Sequence, residues 1–171
     1  MRHVIVVPHN PHWRVAFAAE AALVASAIGP AVVTIHHIGS TAIPDIYAKP
    51  VIDLLVEVVD LEPVDRAQPA LVALGYEAMG EFGLPGRRYF RKDNDQGDRT
   101  HHVHVFEAGS AEVERHLRFR DYLRAHPHRA QDYSNLKRHL AQLHPTDIEA
   151  YMDGKHGLIQ ELEQAARQWQ P

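Results

Sequence analysis

The chain has 171 residues, 45% apolar and 23% charged, with a formal net charge of −4 and no cysteine. That length suits one domain with a real core, and the composition excludes a disordered or collagen-like chain, disulfide staples and thiolate chemistry. The negative balance argues against extended nucleic-acid binding, and the 14 histidines are the compositional anomaly.

The opening MRHVIVVPHNPHW holds an apolar run too short for a signal sequence, and no stretch of about eighteen apolar residues follows, so a soluble cytoplasmic protein is expected. Residues 12–28, HWRVAFAAEAALVASAI, repeat apolar side chains at three and four, which predicts a helix stopped by Gly29-Pro30. The β-branched AVVTIHHI (31–38) predicts a strand ending at Gly39, and VIDLLVEVV (51–59) a second one after Lys49-Pro50. A helix over 63–74 is expected next, with Pro63 in its first turn and Gly75 as its cap. YEAMG, RRYFRK and THHVHVFE predict short antiparallel strands around the loop DNDQGDR. Three amphipathic helical segments complete the chain, parted at His126-Pro127 and His144-Pro145. The order predicts an α+β fold, a mixed sheet flanked by helices. A single domain is expected, with residues 1–109 as the α/β core and 110–171 as packed C-terminal helices.

Side chains alternate across a pleat, so Ile52, Leu54, Val56 and Val58 point one way and Asp53, Leu55 and Glu57 the other. The same rule puts Val103 and Val105 opposite His102, His104 and Phe106. If the valines face the side used by Ile52 and Leu54, then His102 and His104 share a surface with Asp53. Two imidazoles and a carboxylate suit a divalent metal such as Zn, Mn or Fe, and equally suit a solvated sheet face or bonds to backbone carbonyls. Gly39-Ser40-Thr41 sits where a strand meets a loop. Glycine allows close approach to an anion, and the Ser40 and Thr41 hydroxyls with nearby amides can hold phosphate oxygens, with Lys49 as a cation in the same connection. The alternatives there are a tight turn and a surface charge. In LRFRDYLRAHP, Phe119 and Leu123 are expected to face the core while Arg120 and Arg124 share another stripe. That stripe fits a phosphate clamp or ordinary ion pairs such as Arg120 with Asp121. Lys137, four residues after Tyr133, and Lys155 raise the same choice.

Asn10-Pro11-His12-Trp13, HHIGSTAIPDIYAKPVIDLLVEV, RTHHVHVF, LRFRDYLRAHP, YSNLK and AYMDGKHG, in that order, resemble the GrpB (UPF0157-like) family, found fused to dephospho-CoA kinase in some bacteria. GrpB-like proteins are in turn similar to the nucleotidyltransferase superfamily. The pattern there is an apolar-Gly-Ser turn, a strand bearing two acidic residues one apart, and a third acidic residue on a neighbouring strand. Ile38-Gly39-Ser40 matches the turn and Asp53 the first acidic position. Leu55 stands at the second, and His102 or His104 where the third is expected. Two-metal transfer needs hard oxygen ligands around Mg²⁺, which neither leucine nor imidazole supplies. Glu57, two residues on from Leu55, is displaced by roughly 6–7 Å.

The resemblance implies a nucleotidyltransferase-like fold and Ser40 and Asp53 as catalytic residues. It implies Gly39, Ser40, Thr41, Lys49, Arg120 and Lys137 on phosphates, and Asp53, His102 and His104 on a divalent metal, Mg or Mn, with Zn as the alternative. The expected ligand is a nucleotide or other phosphate-bearing small molecule, with a link to dephospho-CoA kinase and no membrane partner. Three readings stay open: a nucleotidyltransferase-like enzyme, a nucleotide or CoA-precursor binding module that lost the reaction, and a His-rich transition-metal protein.

Overall fold

Alanine-rich helix α1 spans His12–Ile28, and its buried Trp13, Glu20, Val24 and Ile28 lie on one stripe. Gly29 stops it, giving its backbone N–H to Ala25 O. The structure, a computed structural model, describes residues 3–171; Met1 and Arg2, which open the N-terminal apolar run, lie outside it. The chain divides into two compact units. A sheet unit comprises Pro11–Ile38 and Val51–Glu114, and a helical unit the residues up to Asn10 with Gly39–Pro50 and Arg115–Pro171.

The sheet unit is built on five strands: β1 (Val32–Ile38), β2 (Ile52–Val58), β3 (Tyr76–Ala78), β4 (Arg88–Asp93) and β5 (Arg99–Glu107). Their order is β1-β2-β5-β4-β3. Only the central β2/β5 pair is parallel, and the other neighbours are antiparallel. This is the mixed-sheet α+β architecture expected. Leu54, Val56, Val58, Val103 and Val105 are fully buried on one face. Each contributes about 1.5–3 kcal/mol relative to exposure. Helix α1 lies on that face, where Phe17 stacks on His37 with ring centroids 4.7 Å apart.

The helix expected over 63–74 is two short ones, α2 (Glu62–Arg66) and α3 (Gln68–Ala73). Pro69 has no N–H to continue the ladder, so the chain breaks at Ala67 and restarts with proline in the first turn of α3.

In the helical unit, α4 (Ala111–Ala125) carries the chain over from the sheet unit, followed by α5 (Pro127–Leu143) and α6 (Ile148–Gln168). Their core gathers Ile43, Ile46, Tyr122, Leu123, Tyr133 and Leu162, with Phe119 packed against it. At Gly154 on α6 the helices approach so closely that a Cβ would lie 2.5 Å from a Leu140 methyl. The 39–50 segment is tied down by Arg124 donating to Ala42 O at 2.9 Å and by Tyr47 N–H donating to Ser134 Oγ at 2.8 Å. No helix among the described residues is long and apolar enough to cross a membrane.

Candidate functional site

Strand register decides what the sheet unit can do. Across β1, β2, β5 and β4 the sequence places Ile38, Asp53, His102 and Arg91 in one row. The next row of the same face holds His36, Leu55, His104 and Tyr89. The alternation read from VIDLLVEV and THHVHVFE therefore holds, and Asp53 does share a face with His102 and His104.

The contacts are close. Asp53 Oδ1 lies 2.9 Å from His102 Nδ1 and 3.6 Å from His104 Nε2. One atom from each residue falls within 4.8 Å of the others, the only such group of three or more metal-binding side chains among the described residues. The two carboxylate distances bracket the roughly 3.4 Å that separates two ligands of a tetrahedral ion with 2.1 Å bonds. Burial alone would raise the Asp53 carboxyl, but hydrogen bonds from His102 and His104, with the attraction of their charge, outweigh it and hold the group well below the usual carboxylate range. Arg99 Nη1 lies 3.4 Å from His102 Nε2 and its Nε 2.5 Å from Asp93 Oδ1. With Arg99 donating, His102 Nε2 accepts and its Nδ1 carries the proton given to Asp53. Metal coordination through Nδ1 inverts that tautomer.

Leu55 is fully buried between these groups and a second pair that the sequence reading missed, His36 Nε2 to Glu57 Oε2 at 2.6 Å. Leucine at the second acidic position is thus a buried side chain between His36 and His104. Glu57 is already held by His36.

The helical unit holds the other candidates. Gly39 has φ 75° and ψ −177°, a region essentially confined to glycine, and opens a single 3-10 turn over Ser40–Ala42. Ser40 is half-buried, while Thr41 is buried. Arg120 does not stand alone: its Nη2 is 2.8 Å from Asp121 Oδ1. Arg124, its stripe partner, is committed to the Ala42 carbonyl.

Lys137 is the more telling residue. Its side chain is 2% exposed, yet its Nζ has no hydrogen-bond partner among the described residues. Burial, followed by repulsion from Lys155 and Lys49, pushes its ammonium down to about 6. Lys137 Nζ sits 4.4 Å from the Tyr133 ring centroid, Lys155 Nζ 4.6 Å from that of Tyr151, and Lys49 Nζ 5.2 Å from the same Tyr151 ring. The signal was in the sequence as two Tyr-x-x-x-Lys patterns, Tyr133 to Lys137 and Tyr151 to Lys155, which put each lysine over its tyrosine one helical turn on.

A family model described as GrpB protein matches residues 3–165. The UPF0157 protein YqkA of Bacillus subtilis is 45% identical over 98% of this chain, which spans only 48% of that protein's length. The glutamate-rich protein GrpB of Alkalihalophilus pseudofirmus is 36% identical, with 93% of both chains covered. A dephospho-CoA kinase of Mycolicibacterium paratuberculosis is 28% identical over 97% of this chain and 46% of its own. Among solved structures, the crystal structure of conserved protein GrpB from Enterococcus faecalis superposes with a TM-score of 0.90 at 44% identity, covering 95% of this chain and 96% of that one. The structure of Cid1 in complex with its short product ApU reaches a TM-score of only 0.43 at 12% identity, over 72% of this chain and 42% of that one, too slight a likeness to carry an argument.

Proposed function

The chain belongs to the GrpB family, and on that footing we propose that it binds one divalent transition metal on Asp53, His102 and His104 and, as its ligand, a phosphate-bearing small molecule of the nucleotide class. The observation that carries the metal is the approach of three ligand atoms to within 4.8 Å on one sheet face. Two imidazoles and one carboxylate favour Mn²⁺, Zn²⁺ or Fe²⁺ over Mg²⁺, which prefers oxygen ligands and octahedral geometry. The phosphate part rests on Lys49 and Lys137, with Ser40 in the Gly39-Ser40-Thr41 turn as a further contact. The net charge of −4 favours a small anion held by a few cations over a nucleic acid.

Leu55 favours binding over two-metal nucleotidyl transfer. A fully buried leucine supplies no ligand, and Glu57 is held by His36, so a second hard metal ion lacks its oxygens. The dephospho-CoA kinase relatives make nucleotide-bearing CoA precursors the first ligands to test, alongside a working link to that kinase.

The test is a titration of the untagged, chelator-stripped protein with Mn²⁺, Zn²⁺ and Mg²⁺, with Asp53→Asn as control. One tightly bound Mn²⁺ or Zn²⁺ per chain is expected, with Mg²⁺ much weaker. Asp53→Asn should lose affinity by at least about 100-fold, since even an outer-sphere partner is worth 10–100-fold. A protein that takes up none of these metals, or an Asp53→Asn variant that binds like wild type, would falsify the metal centre.

A further inference from the structure

Lys137 is a buried base with no counter-ion among the described residues. Among the described residues, the titratable groups that face it are Lys155 from α6, Lys49 from the 39–50 segment and Tyr133 on its own helix, and Tyr151 of α6 lies against the same two lysines. No carboxylate is among the groups acting on its ammonium. Tyr151, fully buried beside Lys49 and Lys155, likewise has a hydroxyl with no hydrogen-bond partner among the described residues. Burial and the nearby Tyr133 push that hydroxyl up, so it stays a neutral donor.

Buried donors are almost always satisfied, and a protein that leaves two of them unmet in one place, among like charges, is incomplete there. The missing partner must be an acceptor and must carry negative charge. Arginine's fork would suit a planar carboxylate; three ammonium groups and a phenol suit a compact, tetrahedral oxyanion approached from several sides.

We propose that Lys49, Lys137 and Lys155, with the Tyr151 hydroxyl, form a dianion site in the helical unit that takes a phosphate group. This deepens the phosphate part of the proposed function, but it uses none of the three metal-site residues. Lys49 is half-buried while Lys137 and Lys155 are buried, so solvent reaches the cluster at Lys49. Tyr133 and Tyr151 hold Lys137 and Lys155 by their ring faces, and the Lys137 Nζ keeps its protons for the anion.

Proton capture gives the site a signature. In the free protein Lys137 titrates at about 6 and is largely neutral at pH 7.5. An anion stabilises its charged form, so binding above that value takes up close to one proton. The binding constant then falls up to about tenfold for each pH unit above 6. Below pH 6 the ammonium is already formed and the dependence flattens.

Sulfate is the probe, because its charge stays fixed over this range, whereas inorganic phosphate titrates within it. Calorimetry of sulfate with the full chain, in excess EDTA so that the metal centre is empty, should find one anion per chain. Proton uptake, read from buffers of different ionisation enthalpy, should approach one at pH 7.5 and vanish near pH 5. Lys137→Met keeps length and apolar packing and should weaken sulfate at least tenfold at pH 6 while abolishing the proton uptake. Tyr151→Phe should weaken it severalfold and leave the proton uptake in place. Inorganic phosphate, AMP and ATP, compared in the same buffer, identify the source: nucleotides binding tighter than phosphate place a nucleotide's phosphate here, and the reverse order places free phosphate. The proposal is overturned if wild type binds neither sulfate nor phosphate at pH 6. It is overturned equally if Lys137→Met retains wild-type affinity, or if sulfate binding at pH 7.5 moves no proton. Because chelator is present throughout, a failed metal titration leaves this result untouched.

Discussion

Two charges, a half-buried one in the sheet unit and a buried one in the helical unit, are met in opposite ways. Asp53 is a carboxylate facing two imidazoles, at 2.9 and 3.6 Å, and its charge is stabilised where it stands. Lys137 is an amine facing two other lysines, and its charge is suppressed. The first cluster is balanced without any ligand and therefore folds as it is. A metal there has to displace the proton between Asp53 and His102. The second is unbalanced, and the protein carries it by leaving Lys137 neutral until an anion arrives. A cluster of opposite charges is weaker testimony for a charged ligand than a cluster of like ones.

The sharpest way to break this contrast is to unbalance the sheet cluster. Leu55→Asp puts a second carboxylate in the fully buried position between His36 and His104. Without metal it should destabilise the protein by about 3–5 kcal/mol, because the leucine packing is lost and the flanking imidazoles already face Glu57 and Asp53. Saturating Mn²⁺ or Zn²⁺ should recover part of that loss. Urea unfolding with and without metal measures both. A loss under about 1 kcal/mol in the metal-free protein would mean that the Leu55 position accommodates a carboxylate. The objection to a second acidic ligand would then fall away.

What the sequence revealed follows the same division. The β2 and β5 faces were legible because a strand's period of two is rigid, so Asp53, His102 and His104 could be put on one surface from VIDLLVEV and THHVHVFE. Their actual register, Asp53 beside His102 and Leu55 beside His104, is a product of pairing between segments 49 residues apart. The lysine cluster was legible only in fragments. Lys49, Lys137 and Lys155 come from three segments, and each looks locally like a surface cation. Only packing of α5 against α6, as close as Gly154 allows, buries two of them. Likewise the break at Ala67 was hidden because amphipathic periodicity continues through it, although Pro69 was in view.

A second experiment sharpens the contrast at Lys137 itself. An exposed lysine titrates near 10.5 and the folded Lys137 near 6, so between these values the unfolded chain holds a proton that the folded chain refuses. The stability this group contributes is complete above the unfolded value and is lost as pH falls toward the folded one. Lys137→Met has no such proton. In buffers free of sulfate and phosphate it should exceed wild type by roughly 1–4 kcal/mol near neutral pH, as apolar replacements of buried charges do. The gap should widen by up to about 1.4 kcal/mol per unit as pH falls from about 10 to about 6. Titrating groups remote from the cluster cancel in the difference. A gap that is constant with pH would show that Lys137 folds in with its charge, and the two clusters would no longer be opposites.

The smallest effect is expected at Arg120, and it separates a cation that is answered from one that is not. The sequence offered Arg120 and Lys137 equally as phosphate ligands. In the folded chain the Arg120 guanidinium lies against Asp121, with Nε and Nη2 2.9 and 2.8 Å from the same oxygen, while its stripe neighbour Arg124 bonds the Ala42 carbonyl. Asp121 is substantially exposed, so removing its partner leaves a carboxylate that water can solvate. Arg120→Ala should therefore change stability by less than about 1 kcal/mol, and it should shift sulfate affinity by no more than about twofold. Lys155→Met, by contrast, should weaken sulfate at least tenfold, because it strips a buried ammonium from the anion itself. Equal losses in the two variants would move the anion toward α4 and make Arg120 one of its ligands. A small loss at Arg120 beside a large one at Lys155 would assign the anion to the lysines gathered around Lys137.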